Sequence, residues 1–148
     1  MSAILIDSNV LLFVFDARAI RKQDHAQRVV RHLEQTMAGR LSAQCLAEFG
    51  NVSTRRLKPP LARAEALQQM EVFARTFPVF DLTVPIVMEA ARGARDHQIA
   101  YYDAQIWATA KLHQIPVIFS EDFSDGQVIE GVRFVNPFAQ GFVLEKWV

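Results

Sequence analysis

Apolar positions along this chain fall into two rhythms, and each change of rhythm marks an element. Ala3-Ile4-Leu5-Ile6 is an unbroken apolar run that stops at Asp7-Ser8-Asn9, which predicts a short buried strand. Ile115-Pro116-Val117-Ile118-Phe119 repeats that layout, with proline at the start where a strand tolerates it, and stops at Ser120-Glu121-Asp122. Arg40-Leu41-Ser42 and Pro78-Val79-Phe80 are shorter candidates. Val132 to Val135 reads as an edge strand between an Asp125-Gly126 turn and an Asn136-Pro137 stop.

Between these runs the period lengthens to that of a helix. Val10 to Phe15 predicts a short buried helix, and Arg18 to Lys22 a polar connection. Asp24-His25-Ala26-Gln27 has the form of a capping box, opening a helix to about Met37 that turns Ala26, Val29, Val30 and Leu33 inward and is closed by Gly39. Ser42 suits the cap of the next helix, whose inward face is Cys45, Leu46, Phe49 and Val52. After the Pro59-Pro60 break, Leu61 to Ala74 predicts a helix with Leu67, Met70 and Phe73 inward. Thr83 caps another from about Pro85, with Ile86, Val87, Ala90 and Ala91 inward and Arg92 and Arg95 at the negative end of its dipole. The helix from Tyr101 to His113 carries no charge from Ala104 through Ala110, so it is expected to be buried. The apolar tail from Phe138 to Val148 has to pack on its own domain or on another chain.

Strands alternating with helices predict an α/β protein. At 148 residues and 51% hydrophobic content, with 11 Phe and no low-complexity tract, residues 1–148 are expected to form one domain with a conventional core. Cys45 has no partner for an internal disulfide, and the four histidines show no zinc-site spacing, which fits a reducing cytoplasm. His25 and His32 read as solvated side chains. Val10 to Phe15 is too short to span a bilayer and no basic segment precedes it, so neither membrane insertion nor export is expected.

Sixteen basic and sixteen acidic residues cancel, so net charge alone argues for no polyanionic partner. Arg18, Arg21, Lys22, Arg28 and Arg31 form one local basic group; Arg55, Arg56, Lys58 and Arg63 form another. Each is either a solvated helix face or part of an outer surface left basic because acids are sequestered in one cleft.

Four acids fall at interior-facing positions, and that is where the chemistry gathers. Asp7 and Asp122 end two core strands, which in a parallel sheet puts them at the edge where ligands bind. Glu48 lies on the margin of an apolar helix face, and Asp103 stands alone at the head of an uncharged helix. Singly, Asp7 and Asp103 also suit helix caps, and Glu48 a solvated side chain. Together in one pocket they repel unless a cation sits among them. Hard oxygen ligands without His or Cys point to Mg²⁺, or Mn²⁺, shared with water and substrate phosphate. Such a site can activate water against a phosphodiester and steady the leaving oxygen.

Asp7-Ser8-Asn9-Val10-Leu11-Leu12, Glu48 within Leu46-Ala47-Glu48-Phe49, Tyr102-Asp103-Ala104 leading Ile106-Trp107-Ala108-Thr109-Ala110, and Ser120-Glu121-Asp122-Phe123 with Asp125-Gly126 resemble the PIN-domain family, in particular its VapC-type toxins. The resemblance runs from Ile4 to about Phe138. It implies a three-layer α/β/α fold with a central parallel sheet of four to five strands flanked by helices, and metal-dependent ribonuclease activity opposed by a cognate VapB-type antitoxin. Asp7, Glu48 and Asp103 match the family's three core acids, Asp122 its more variable fourth, and Asn9 and Ser120 polar positions supporting the site. Glu121 and Asp125 remain open as alternatives to Asp122. Many members carry Thr where Ser8 stands, a mild departure.

The resulting expectation is an endoribonuclease toxin in which Asp7, Asp103 and Asp122 bind Mg²⁺ and Glu48 binds metal or orients water. Arg18, Arg21, Arg55 and Arg56 are candidates to hold RNA phosphates, and the resemblance suggests a homodimer. Two alternatives stand beside it. One is phosphohydrolysis through an aspartyl nucleophile at Asp7, although the usual acid two residues on is here Asn9; the other is a non-catalytic binding module. No P-loop sequence occurs, and no Ser or Cys nucleophile pairs with His.

Overall fold

Along β1 (Ile4–Ile6) all three side chains are buried, but alternation sends Ile4 and Ile6 to one face of the sheet and Leu5 to the other. That single strand therefore seeds two cores. In the computed structural model, which describes residues 2–148, β1 pairs in parallel with β2 (Gly39–Ser42) on one side and with β4 (Val117–Phe119) on the other. β3 (Val79–Phe80) extends the sheet beyond β2, and β6 (Val132–Val135) extends it beyond β4, both in parallel. β5 (Val128–Ile129) adds an antiparallel edge, giving six strands in the order β3-β2-β1-β4-β6-β5. Its five parallel strands match the expected four to five, and β5 adds an antiparallel sixth. Val132 to Val135 is not an edge, because the turn through Glu130 and Gly131 folds Val128–Ile129 back over it.

Helices cover both faces. The Ile4/Ile6 face carries α1 (Ser8–Phe13), α2 (Ile20–Gln35), α3 (Ala43–Arg55) and α4 (Arg63–Thr76), with Leu11, Val29, Leu33, Phe49 and Phe73 in the shared core. On the Leu5 face lie α5 (Val84–His97) and α6 (Tyr101–Leu112), bringing Ile86, Ala90, Ile106 and Trp107 onto Ile118 and Phe134. Among the described residues no helix is long and apolar enough to cross a membrane. The tail turns back on its own chain: Leu144 is buried, and Phe142, Trp147 and Val148 pack against the first core.

Several local expectations shift, each for a physical reason. α2 begins at Ile20, with no side-chain cap at Ala19, because Arg21 and Lys22 of the supposed connection and Gln23 after it are good helix formers and nothing breaks the helix before Asp24. Gln27, freed from a capping role, donates to the Val14 carbonyl beside Gln23 and ties α2 to the end of α1. Gly39 lies in β2 rather than closing α2; Met37 takes the left-handed conformation instead. A Cβ at Gly39 would stand 2.6 Å from the Phe77 ring, so close packing is what that glycine serves. α4 is rotated from the expected face, leaving Leu67 exposed and burying Ala66, and α5 buries Gly93 rather than Ala91. Ser42 and Thr83 cap α3 and α5 as expected, accepting from Cys45 N–H at 3.1 Å and Ile86 N–H at 3.3 Å.

Gly93 lets α5 lie directly on the Trp107 ring of α6, and a Cβ there would overlap the ring's six-membered edge. Trp107 cannot yield, being fully buried and held by its indole N–H on the Ile129 carbonyl at 3.0 Å. Gly93→Ala is expected to cost about 1–3 kcal/mol, or more if the helices cannot separate, despite alanine's better helix propensity. Urea unfolding measures it; an unchanged or raised midpoint would contradict this packing.

The chain crosses from β1 to β2 and β3 on one side, then returns through α5 and α6 to β4 on the other. β1 and β4 therefore flank the point where the strand order reverses, and the crevice beyond their carboxyl ends is where an open α/β sheet places a ligand. Asp7 follows β1 directly, and Ser120 to Asp122 follow β4.

Candidate functional site

Asp7 fills the helix-cap role its sequence position allowed and also stands at the edge of the sheet. As N-cap of α1 its Oδ1 accepts the Ser8 N–H at 2.7 Å, and its Oδ2 accepts the Ser120 hydroxyl at 2.7 Å and the Asn9 amide at 3.3 Å across the β1–β4 junction. Asn9 Nδ2 also donates to Ser120 Oγ at 3.1 Å, which in turn accepts the Asp122 N–H at 3.1 Å. One hydroxyl thus links the two strand ends. Asp7 is only 2% exposed, and burial pushes its carboxyl up from 3.8 to about 7. The Ser120 and Ser8 hydrogen bonds oppose that rise, whereas the charges of Glu48 and Asp122 add to it.

Glu48 reaches the same place from the middle of α3. The Ser8 hydroxyl donates to its Oε2 at 2.6 Å, and Gln44, one turn earlier, donates to its Oε1 at 2.7 Å. A threonine hydroxyl would serve as well as Ser8, so that departure leaves the arrangement intact. Asp103 stands in the first turn of α6, whose N-cap is Ala100, so capping is not its task. Among the described residues no hydrogen-bond partner reaches the carboxylate of Asp103 or of the exposed Asp122. Burial raises the Asp103 carboxyl above its ordinary value, and Asp122 and Glu48 raise it further. Glu48 and Asp122 therefore act electrostatically on both other acids, which joins four elements into one acidic edge.

The neighbours that competed with Asp122 are engaged elsewhere. Glu121 pairs with Lys22 at 2.8 Å, and Asp125 accepts the Asn136 N–H at 2.8 Å, pinning the loop ahead of β5. The candidate arginines do not share one place. Arg56 lines the cleft of about 790 Å³ that also takes in Glu48, Asp103, Asn51 and Tyr102, whereas Arg55 faces a separate hollow between α3 and α4. Arg18 is forked onto Asp16 at 3.0 and 3.1 Å, and Arg21 borders a pocket with Lys22, His25 and Phe138.

Sequence reasoning passed over Gln44 and Gln105, and named Lys22 only as part of a basic group. The signal for the first two was there: Gln44 lies four residues before Glu48, and Gln105 is the only amide in the uncharged run after Asp103. Lys22 carried no comparable signal, because its pairing with Glu121 spans most of the chain.

The donor set suits a hard divalent cation. All four groups are carboxylates, two of them forced toward the neutral form in a way that a nearby cation would reverse. Among the described residues no three acids, histidines or cysteines stand close enough to hold an ion unaided. This matches an ion that takes one or two carboxylates directly and fills its remaining positions with water and phosphate.

A family model described as PIN domain matches residues 4–124. Solved structures share the fold over most of the chain. A toxin-antitoxin complex from Klebsiella pneumoniae aligns with a TM-score of 0.67 at 18% identity, covering 92% of this chain and 98% of that one. VapC20 of Mycobacterium tuberculosis, described as a sarcin-ricin loop cleaving toxin, aligns with 0.64 at 20% identity over 88% and 99%. A DNA-bound VapBC from Salmonella typhimurium aligns with 0.64 at 19% identity over 90% and 97%. No curated protein matches the sequence. At these identities the likeness is one of fold.

Proposed function

The chain belongs to the PIN-domain family, and we propose that it is a VapC-like toxin, a Mg²⁺-dependent endoribonuclease neutralised by a VapB-type antitoxin. The observation that carries this reading is the convergence of Asp7, Glu48, Asp103 and Asp122, from four elements, on the edge where the strand order reverses. The names of the structural relatives, a sarcin-ricin loop cleaving toxin and toxin-antitoxin complexes, support it.

On this reading Asp7, Asp103 and Asp122 share the ion, one or two of them directly and the rest through bound water, with Mn²⁺ able to replace Mg²⁺. The ion supplies charge stabilisation for the scissile phosphate and its leaving oxygen. Ser120 and Asn9 fix the Asp7 carboxylate, and Glu48, held between Ser8 and Gln44, orients water or adds a ligand. Arg56 is a candidate to take a flanking phosphate in the cleft, with Arg21 offering charge from the separate pocket beside His25 and Phe138. Phosphate contacts position the strand, and an unpaired loop is the form of RNA whose bases such an open cleft can admit. The proposed toxin acts in the cytoplasm as a homodimer, by a surface other than the tail, since Leu144 and Trp147 already cover their own core.

The aspartyl-nucleophile alternative lacks the acid such a mechanism needs two residues on, because Asn9 stands there and its amide donates to Asp7 Oδ2 at 3.3 Å. A purely binding role gives no reason for four acids to share one edge. Sequencing of cellular RNA ends after brief expression tests the proposal. New ends at a few positions are expected with the wild type and none with Asp7→Asn; harmless expression with unchanged ends would overturn it.

A further inference from the structure

Glu48 is approached by donors from two sides, and one side is the end of a chain. The Tyr101 hydroxyl donates to Gln105 Oε1 at 3.0 Å, Gln105 Nε2 donates to Gln44 Oε1 at 2.8 Å, and Gln44 Nε2 donates to Glu48 Oε1 at 2.7 Å. The second hydrogen of Gln44 Nε2 goes to the Tyr102 carbonyl at 3.0 Å. From the other side the Ser8 hydroxyl closes on Glu48 Oε2 at 2.6 Å.

The direction of this chain follows from its last member. An ionised carboxylate only accepts, so Gln44 must turn its NH₂ to Glu48 and its carbonyl to Gln105. Gln105 must then present its NH₂ to Gln44 and its carbonyl to Tyr101, whose hydroxyl is left to donate. One acceptor sets every orientation. Reversal of either amide would oppose two carbonyl oxygens or two NH₂ groups, which is costly where Gln105 is only 3% exposed. The backbone holds the spacing: Tyr101 and Gln105 are one turn apart on α6, Gln44 and Glu48 one turn apart on α3, and the Gln105–Gln44 bond joins the two helices.

We propose that Gln44 and Gln105 are positioning residues that act through Glu48, the one-way chain from Tyr101 fixing the carboxylate's orientation in the cleft. This rests on the nuclease reading above. Each Glu48 oxygen already accepts one short hydrogen bond and keeps one further lone-pair position, so whatever Glu48 orients is restricted to those. Gln44 and Gln105 line the same cleft as Glu48 and Asp103, yet neither is an acid or a base, and their contribution is geometric.

Gln105→Met keeps the volume and removes the donor. It is expected to lower kcat for RNA cleavage by about 10- to 100-fold with KM nearly unchanged. Gln44→Leu should lose a similar factor, and the double variant no more than Gln44→Leu alone, since both work through one contact. Wild-type cleavage by Gln105→Met, or losses that multiply in the double variant, would overturn the inference. A readout independent of activity separates it from the nuclease reading: the Gln44 side-chain amide hydrogens should exchange slowly in the wild type, and their NMR signals should move on Gln105→Met and on Glu48→Gln. If they do not move, the chain is absent whatever the protein cuts. If they move but the wild type cuts no RNA, it is the nuclease reading that fails.

Discussion

Asp103→Asn is expected to reduce RNA cleavage by on the order of 100-fold or more while leaving the folded protein about as stable as the wild type. Asp103 separates function from structure more cleanly than Asp7 or Glu48 does. Asp7 caps α1 and joins β1 to β4, and Glu48 is the terminus of a side-chain network, so their substitution alters packing as well as chemistry. Asp103 makes no hydrogen bond among the described residues, caps nothing, and is half-buried in a cleft where burial and two other acids already oppose its charge. Apart from a favourable place at the positive end of the α6 dipole, worth about 0.3–1 kcal/mol, nothing in the fold is served by that carboxylate. Removing its charge relieves the repulsion from Asp122 and Glu48, so the thermal midpoint should hold steady or rise slightly. Steady-state cleavage of a structured RNA in Mg²⁺, beside a melting curve of the same sample, decides the matter. Activity within a few-fold of wild type would remove Asp103 from the proposed ion site.

The sheet and its acidic edge were legible in the sequence because both rest on strong local signals. Two apolar runs each stopped by acids fix two core strands, and their parallel pairing with Ile4 opposite Val117 puts Asp7 and Ser120 within hydrogen-bond reach. The start of α6 at Tyr101 was legible, and it already sets Asp103 inside the first turn rather than at the cap. What the sequence hid was long-range or competitive. Glu121 and Asp125 differ from Asp122 through Lys22 and Asn136, which pair with those two side chains from elsewhere in the chain. The basic clusters looked alike in sequence, yet adjacent arginines 55 and 56 face different hollows because successive helical positions are turned about 100° apart. Val128–Ile129 is too short to show periodicity, and unlike Val79–Phe80 it has no proline marking its start.

Metal-free protein is expected to lose stability as pH rises from about 4 to about 7, the reverse of what structural carboxylates usually produce. The sign follows from Asp7. In the unfolded chain its carboxyl ionises near 3.8, whereas in the fold it holds its proton to about 7. Below pH 4 both states are protonated and nothing is lost. Between those values the folded state binds the extra proton, so stability falls with pH and levels off above about 7. The gap is worth about 4 kcal/mol for a group this deeply enclosed, or about 10 °C in midpoint for a chain of this size. Asp103, raised in the same direction, adds to the trend. The acids shifted downward, such as Glu130 at about 2 beneath His97, Arg92 and Lys111, act at lower pH, where their stabilising charge is lost as pH falls toward 2; they do not offset the decline above 5. A divalent cation should favour ionised Asp7 and restore the midpoint at pH 8, by about 2.7 kcal/mol at a concentration 100-fold above its dissociation constant. Asp7→Asn should flatten the pH dependence in EDTA and abolish most of the Mg²⁺ effect. A wild-type midpoint that is level from pH 5 to 8 in EDTA, or indifferent to Mg²⁺ and Mn²⁺ at pH 8, would mean that Asp7 is ionised and satisfied without a metal, and the edge of the sheet would need another occupant.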